Sequence, residues 1–230
     1  MSSINVKASI IGLLILIQLV SAFLVNFVLL SPLSSTFIGN AAGNASQISM
    51  GVLLYGGIGV ITIAIAIAVW PVFRMYSSSL ALWFLSLGIV NFALSLVEGA
   101  TLMSMLSLSQ TYTTTTVTDP EMYTALGAVV RSARIWAHYT NVLVGSFTML
   151  IFYIILYKFK LVPLALSIFG LIGALLHIMA TTFPFFGIKS LILLYIALPL
   201  ALSQLILGLW LITKGFYKSP NPAVNSIQGD

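Results

Sequence analysis

"ASIIGLLILIQLVSAFLVNFVLL", residues 8–30, runs for 23 residues without one charged side chain. About 20 such residues, wound as an α-helix, cross the hydrocarbon core of a bilayer. The run is longer than the apolar region of a secretory signal, which has about 7–15 residues. No small-x-small cleavage pattern stands out after it, so it reads as a retained first span.

Five further stretches of the same kind follow. The spans are read at about Ala8–Leu30, Ile48–Phe73, Leu80–Leu106, within Met122–Tyr157, Leu161–Thr182 and Ser190–Thr213. Composition agrees, because the 230 residues are 60% hydrophobic and 6% charged, whereas a soluble domain carries about 25% charged residues. The fold class is therefore all-α, a polytopic transmembrane bundle of six helices in a single domain over residues 1–230. Residues 214–230 are read as a short cytoplasmic tail. The chain has no cysteine, which excludes disulfides, thiolate catalysis and cysteine-held metals. The net charge of +5 does not point to nucleic acid, since the basic residues flank the apolar runs and so act as topology signals.

Those basic residues also predict an orientation. With the N-terminus inside, Lys7, Arg74, Lys158, Lys160, Lys214 and Lys218 are cytoplasmic and Lys189 is external. This satisfies the positive-inside bias and places both termini in the cytoplasm of a multi-pass protein of the cell membrane. The segments Ser31–Gln47 and Ser107–Thr118, rich in Ser, Thr, Gly and Asn, are then outer loops. "NAS" places a glycosylation pattern at Asn44. "TYTTTTVT", Thr111–Thr118, reads as a β-branched polar loop, with a glycan tract as the alternative. The links Arg74–Ser79 and Lys158–Lys160 are short enough to force antiparallel hairpins. The halves share no motif, which disfavours an inverted-repeat transporter.

The fourth helix carries a start signal. Asp119 can cap, Pro120 suits the first position and Glu121 suits the positive helix end. Continued to Tyr157 it reaches about 36 residues, or about 54 Å, against a core of about 30 Å. Its outer third is expected to tilt, bend or project, leaving Arg131 and Arg134 to headgroups and water. The aromatic pair Trp136 and Tyr139 suits the interface.

Depth along the helices brings out a polar layer. Glu98 falls about 27 Å, His177 about 24 Å and His138 about 29 Å above the inner face, on three consecutive spans. Gly88, Asn91, Ser95, Glu98 and Thr101 form one stripe on span three, expected to face the bundle. Arg134, His138, Asn141 and Gly145 share a face of span four; Gly170, Gly173, Ala174 and His177 share one of span five. The candidate layer is thus Glu98, His138, His177, Arg134 and Asn91. Several readings stay open. Glu98 can pair with Arg134 while the histidines bond to neighbouring helices. The layer can line a solute or proton path. Glu98, His138 and His177 have the donor types for a metal, and the two histidines those for haem, although no cofactor is predicted. Deeper in the bilayer, Gln18, Asn91 and Gln204 are expected to bond between helices, and Pro199 to kink span six.

No nucleophile elbow, phosphate loop, zinc-protease helix or dinucleotide fingerprint is present. The leading expectation is a non-catalytic membrane protein, an accessory subunit of a larger membrane complex with lipid and other membrane subunits as partners. The alternatives are a small-solute or proton permease, then a haem- or metal-binding protein.

Three stretches carry a resemblance: "AVWPVFRMYSSSLAL" (68–82), "LYKFKLVPLALSIFGLIGALL" (156–176) and "ALPLALSQLILGLWLITKGF" (197–216). Together they resemble the prokaryotic membrane family catalogued as domain of unknown function 4386, over most of the chain. The resemblance implies about six spans and no established activity. It also implies a glutamate in the final span, where this chain has Gln204, and Glu98 is the candidate for a carboxylate of the family's third span.

Overall fold

The computed structural model describes residues 3–33, 36–115, 119–188 and 190–217. The expectations that fall on Lys189, Lys218, Thr116–Thr118 and the tail beyond residue 217 lie outside the described residues. Helix α1 (Ser3–Leu24) continues as a π-helical turn, Val25–Leu29. After the single turn α2 (Phe37–Asn40) come α3 (Ala45–Tyr76), α4 (Ser78–Thr114), α5 (Pro120–Lys158), α6 (Leu164–Thr182) and α7 (Ile192–Thr213). No strand occurs among the described residues. Six helices are long and apolar enough to cross a membrane, as six hydrophobic runs in a chain with few charges require. This is a multi-pass membrane protein.

The fourth span is long, as expected, and two others approach it. Helices α3, α4 and α5 have 32, 37 and 39 residues, so each rises about 48–58 Å. One expectation is corrected: residues 107–114 are not loop, because α4 continues to Thr114. Its hydroxyls turn back onto the helix: Thr111 Oγ1 donates to the Ser107 carbonyl at 3.0 Å and Thr114 Oγ1 to the Gln110 carbonyl at 2.9 Å. Leu102, Met105, Leu106 and Ser109 meanwhile keep a buried helical stripe. Ser and Thr are poor helix formers in isolation; packing of that stripe decides the matter.

The helices contribute to two compact units. The first comprises residues 1–19, 61–91 and 142–230. Its core holds three mutually packed rings, Phe73, Phe84 and Phe152, with centroids 5.2–5.8 Å apart. Helices α3 and α4 turn back through Ser77 alone, whose amide closes onto the Phe73 carbonyl at 3.0 Å. Small residues let helices approach. The Tyr153 ring fills the space over Gly170, and its hydroxyl lies 2.9 Å from Ser203 Oγ. A Cβ on Gly173 would sit 2.9 Å from the Leu200 amide nitrogen, next to Pro199. One on Gly12 would sit 2.6 Å from the Gly208 carbonyl oxygen. Close backbone contact of this kind drives association where hydrocarbon surrounds the helices.

The second unit comprises residues 20–60 and 92–141. Val25, Phe37, Ile48, Leu102 and Met105 anchor its core. The segment read as an open outer loop after span one is pinned to α4. Buried Ser109 Oγ accepts from the Ala42 amide at 2.9 Å and donates to the Ile38 carbonyl at 2.8 Å. The α5 start signal forms as expected, with the Met122 amide donating to Asp119 Oδ1 at 3.0 Å.

Two measurements check this packing. Gly173→Val is expected to lower stability in detergent by about 1–3 kcal/mol through overpacking. Gly56→Ala is expected to lower nothing, since nothing beyond its own turn of helix lies within 4 Å of the added methyl. Equal effects would sink the close-approach account. Ser109→Ala is expected to cost about 1–3 kcal/mol by stranding the Ala42 amide, visible as faster hydrogen exchange there; unchanged exchange would contradict it.

Candidate functional site

The site belongs to the second unit and is built around Glu98, on the face of α4 that also carries Ser95 and Thr101. Its side chain is 0% exposed. A carboxylate cannot stay in an apolar interior without partners, and each oxygen has two. Oε1 lies 2.8 Å from His138 Nδ1 and 3.9 Å from Arg134 Nη2. Oε2 accepts from the Tyr55 hydroxyl at 2.5 Å and from Asn141 Nδ2 at 3.3 Å. Asn141 Nδ2 also donates to the Tyr55 oxygen at 2.9 Å. Every neighbour is a donor, which is the environment an ionised carboxylate requires, as it can only accept.

Local sequence explains the convergence. Arg134, His138 and Asn141 are spaced i, i+4, i+7, so one stripe of α5 presents a cation, an imidazole and an amide. Tyr55 comes from α3, where it shares a face with Gly59 and Thr62. A Cβ on Gly59 would crowd Phe92 and lie 2.5 Å from Ser95 Oγ, so glycine lets α3 and α4 close together one turn from the site. The environment is asymmetric: Glu98 is sealed, while His138 and Arg134 are 28% and 24% exposed. His138 therefore joins the buried carboxylate to a more open side.

The structure gathers part of the expected layer. Glu98, His138 and Arg134 come together. Arg134 is not left to headgroups and water as its depth suggested; its Nη2 reaches Glu98 and its Nε is buried without a protein partner. Its three-methylene stem is long enough to bring the guanidinium back to the acid, and the opposite charge gives it cause. Arg131 remains half-buried. His177 and Asn91 belong to the first unit. His177 Nδ1 lies 2.7 Å from Ser146 Oγ, whose proton goes to the Val142 carbonyl at 2.7 Å, so the imidazole nitrogen is the donor. The Asn91 amide packs over Gly145, 3.3 Å from where a Cβ would sit. In the same unit Gln18 donates to Thr62 at 2.8 Å, the interhelical bond expected of it; Gln204 is half-buried and has no hydrogen bond among the described residues. Among the described residues no three His, Asp or Glu side chains are grouped to hold a metal. Asn44 is exposed, and its amide donates to the Asn40 carbonyl at 2.9 Å.

Tyr55 escaped the sequence reading. A lone tyrosine among glycines and aliphatics looks like packing, and only its i+4 and i+7 partners, Gly59 and Thr62, hinted at an inward polar stripe.

A family model described as domain of unknown function (DUF4386) matches residues 10–215. The chain belongs to this family. No curated protein and no solved structure matches it. The whole Glu98 cluster, from Tyr55 to Asn141, lies inside the DUF4386 stretch.

Tyr55→Phe is expected to destabilise the protein by about 1.5–3 kcal/mol, the range for a bond to a charged acceptor. In a double-mutant cycle with Glu98→Gln, equilibrium unfolding should give a coupling of about 0.5–3 kcal/mol. Simple additivity would show that the two groups do not act together.

Proposed function

We propose that this DUF4386 protein does no chemistry of its own and serves as an accessory subunit of a larger complex in the cell membrane, with both termini cytoplasmic. The observation carrying this reading is the enclosure of Glu98. A carboxylate with no exposed surface, bonded to Tyr55, His138 and Asn141 with the Arg134 guanidinium 3.9 Å away, is suited to fastening α3, α4 and α5, not to meeting a substrate. The apolar side chains left exposed along the helices, such as Leu53, Val129 and Leu194, suit lipid or a neighbouring membrane subunit. In this orientation the outer ends of α4 and α5 reach past the apolar layer, because their lengths exceed it by about 26–28 Å.

Chemical cross-linking followed by mild solubilisation tests the reading. A discrete partner should co-purify with the full chain. A protein that always runs alone, cross-linked or not, would sink the accessory role.

A second reading, a proton permease, is favoured by one observation. His138 bonds to Glu98 yet keeps 28% of its side chain exposed, which is the arrangement of a relay between a buried acid and water. Proteoliposomes carrying the wild-type chain should then dissipate an imposed pH gradient, and Glu98→Gln and His138→Ala should each abolish the flux. Gradient decay no faster than in empty liposomes rules this reading out.

A further inference from the structure

Away from the Glu98 cluster, five cations gather at one end of the first unit. Lys7 lies near the start of α1, Arg74 in the last turn of α3 and Lys158 at the end of α5; Lys160 is in the α5–α6 link and Lys214 directly follows α7. Contacts place these ends together. Ser9 Oγ donates to the Ile212 carbonyl at 3.3 Å, the Tyr76 and Phe159 rings lie 4.9 Å apart, and the Tyr217 amide donates to the Leu161 carbonyl at 2.8 Å. All five basic side chains are exposed.

Among the described residues of this unit no acidic side chain neutralises them. Of the four acidic residues, Glu98, Asp119 and Glu121 belong to the second unit and Asp230 lies outside the described residues. Among the described residues none of the five cations has an ion pair. Helix dipoles do not balance them either. Helices α3, α5 and α7 present negative C-terminal ends here, but α1, α4 and α6 present positive N-terminal ends, and these cancel.

The same end has the other features of a headgroup zone. Trp83, Tyr157 and Tyr217 are exposed around it, and such rings favour the membrane interface. Leu82 and Leu164 offer exposed apolar surface beside the cations. The Tyr76 hydroxyl and the Trp210 indole N–H are buried here without a protein acceptor. The turn out of α5 brings two of the lysines close together. Lys160 takes φ 50°, the Leu161 amide closes onto the Leu156 carbonyl at 3.0 Å, and Lys158 Nζ sits 5.5 Å from the Phe159 ring centre.

We infer that this end of the first unit is a binding surface for the phosphate headgroups of anionic lipids, with Lys158 and Lys160 as its principal contacts. Apolar flanks and a ring of interfacial aromatics favour a lipid over a free anion, because they give acyl chains somewhere to lie.

Native mass spectrometry of the full chain, purified in detergent and offered equal phosphatidylglycerol and phosphatidylcholine, tests this. The wild type should retain phosphatidylglycerol in preference, and Lys158→Gln and Lys160→Gln should each lower the ratio about fivefold, the factor for one cation at an anionic surface. Should either variant fail to insert, Arg74→Gln and Lys214→Gln are expected to lower the ratio in the same way. Equal retention of the two lipids, or a ratio that none of these substitutions moves, would overturn the inference. Displacement of the bound lipid by inorganic phosphate would also overturn it, by assigning the surface to a free anion.

Discussion

A carboxylate without water must be surrounded by donors, and in this protein one such group organises the second unit. Helices satisfy their own backbone, which is why they can cross hydrocarbon at all. Side chains have no such guarantee. Glu98 draws a phenol from α3 and an imidazole, an amide and a guanidinium from α5. Holding its charge out of water costs several kcal/mol unless those partners surround it, so the three helices are constrained in rotation about their axes and in depth. Gly59 serves the same arrangement by letting α3 and α4 approach.

The first unit meets the same difficulty with neutral groups. Gln18 with Thr62, Tyr153 with Ser203 and Ser146 with His177 are each a polar pair between two helices. Bonds of this type are individually weak inside membranes, about 0.6 kcal/mol on average, so close packing must contribute most of the cohesion. Gly12 against Gly208, Gly170 under Tyr153 and Gly173 against the Pro199–Leu200 backbone supply it. The two units therefore differ in what holds them: steric fit with scattered polar pairs in one, a concentrated ionic cluster in the other.

The polar stripe on α4 was legible because its period is that of a helix. Gly88, Ser95 and Glu98 are all buried, as a stripe unable to face lipid must be. The extension of α4 to Thr114 was obscured, since its Ser and Thr content resembles a loop. Its apolar positions, Leu102, Met105 and Leu106, kept the helical rhythm, and that was the better guide. Two expectations stood for Arg134, headgroups and water or a pair with Glu98, and the structure has the second. Depth arithmetic locates an α-carbon, whereas a long side chain can carry its charge away from it toward an acid.

Sequence alone determined the membrane class, the six helices and the inward face of each polar stripe, because hydrocarbon thickness and helical periodicity act along the chain itself. It also singled out Glu98 and His138. Tertiary structure decided that these two touch, that Tyr55 and Asn141 complete the cluster and that His177 bonds instead to Ser146. Rise per residue specifies how deep a group lies but not which neighbour it faces. That depends on how each helix is turned against the next, and the turn is set by where glycines permit contact and where a buried charge demands it.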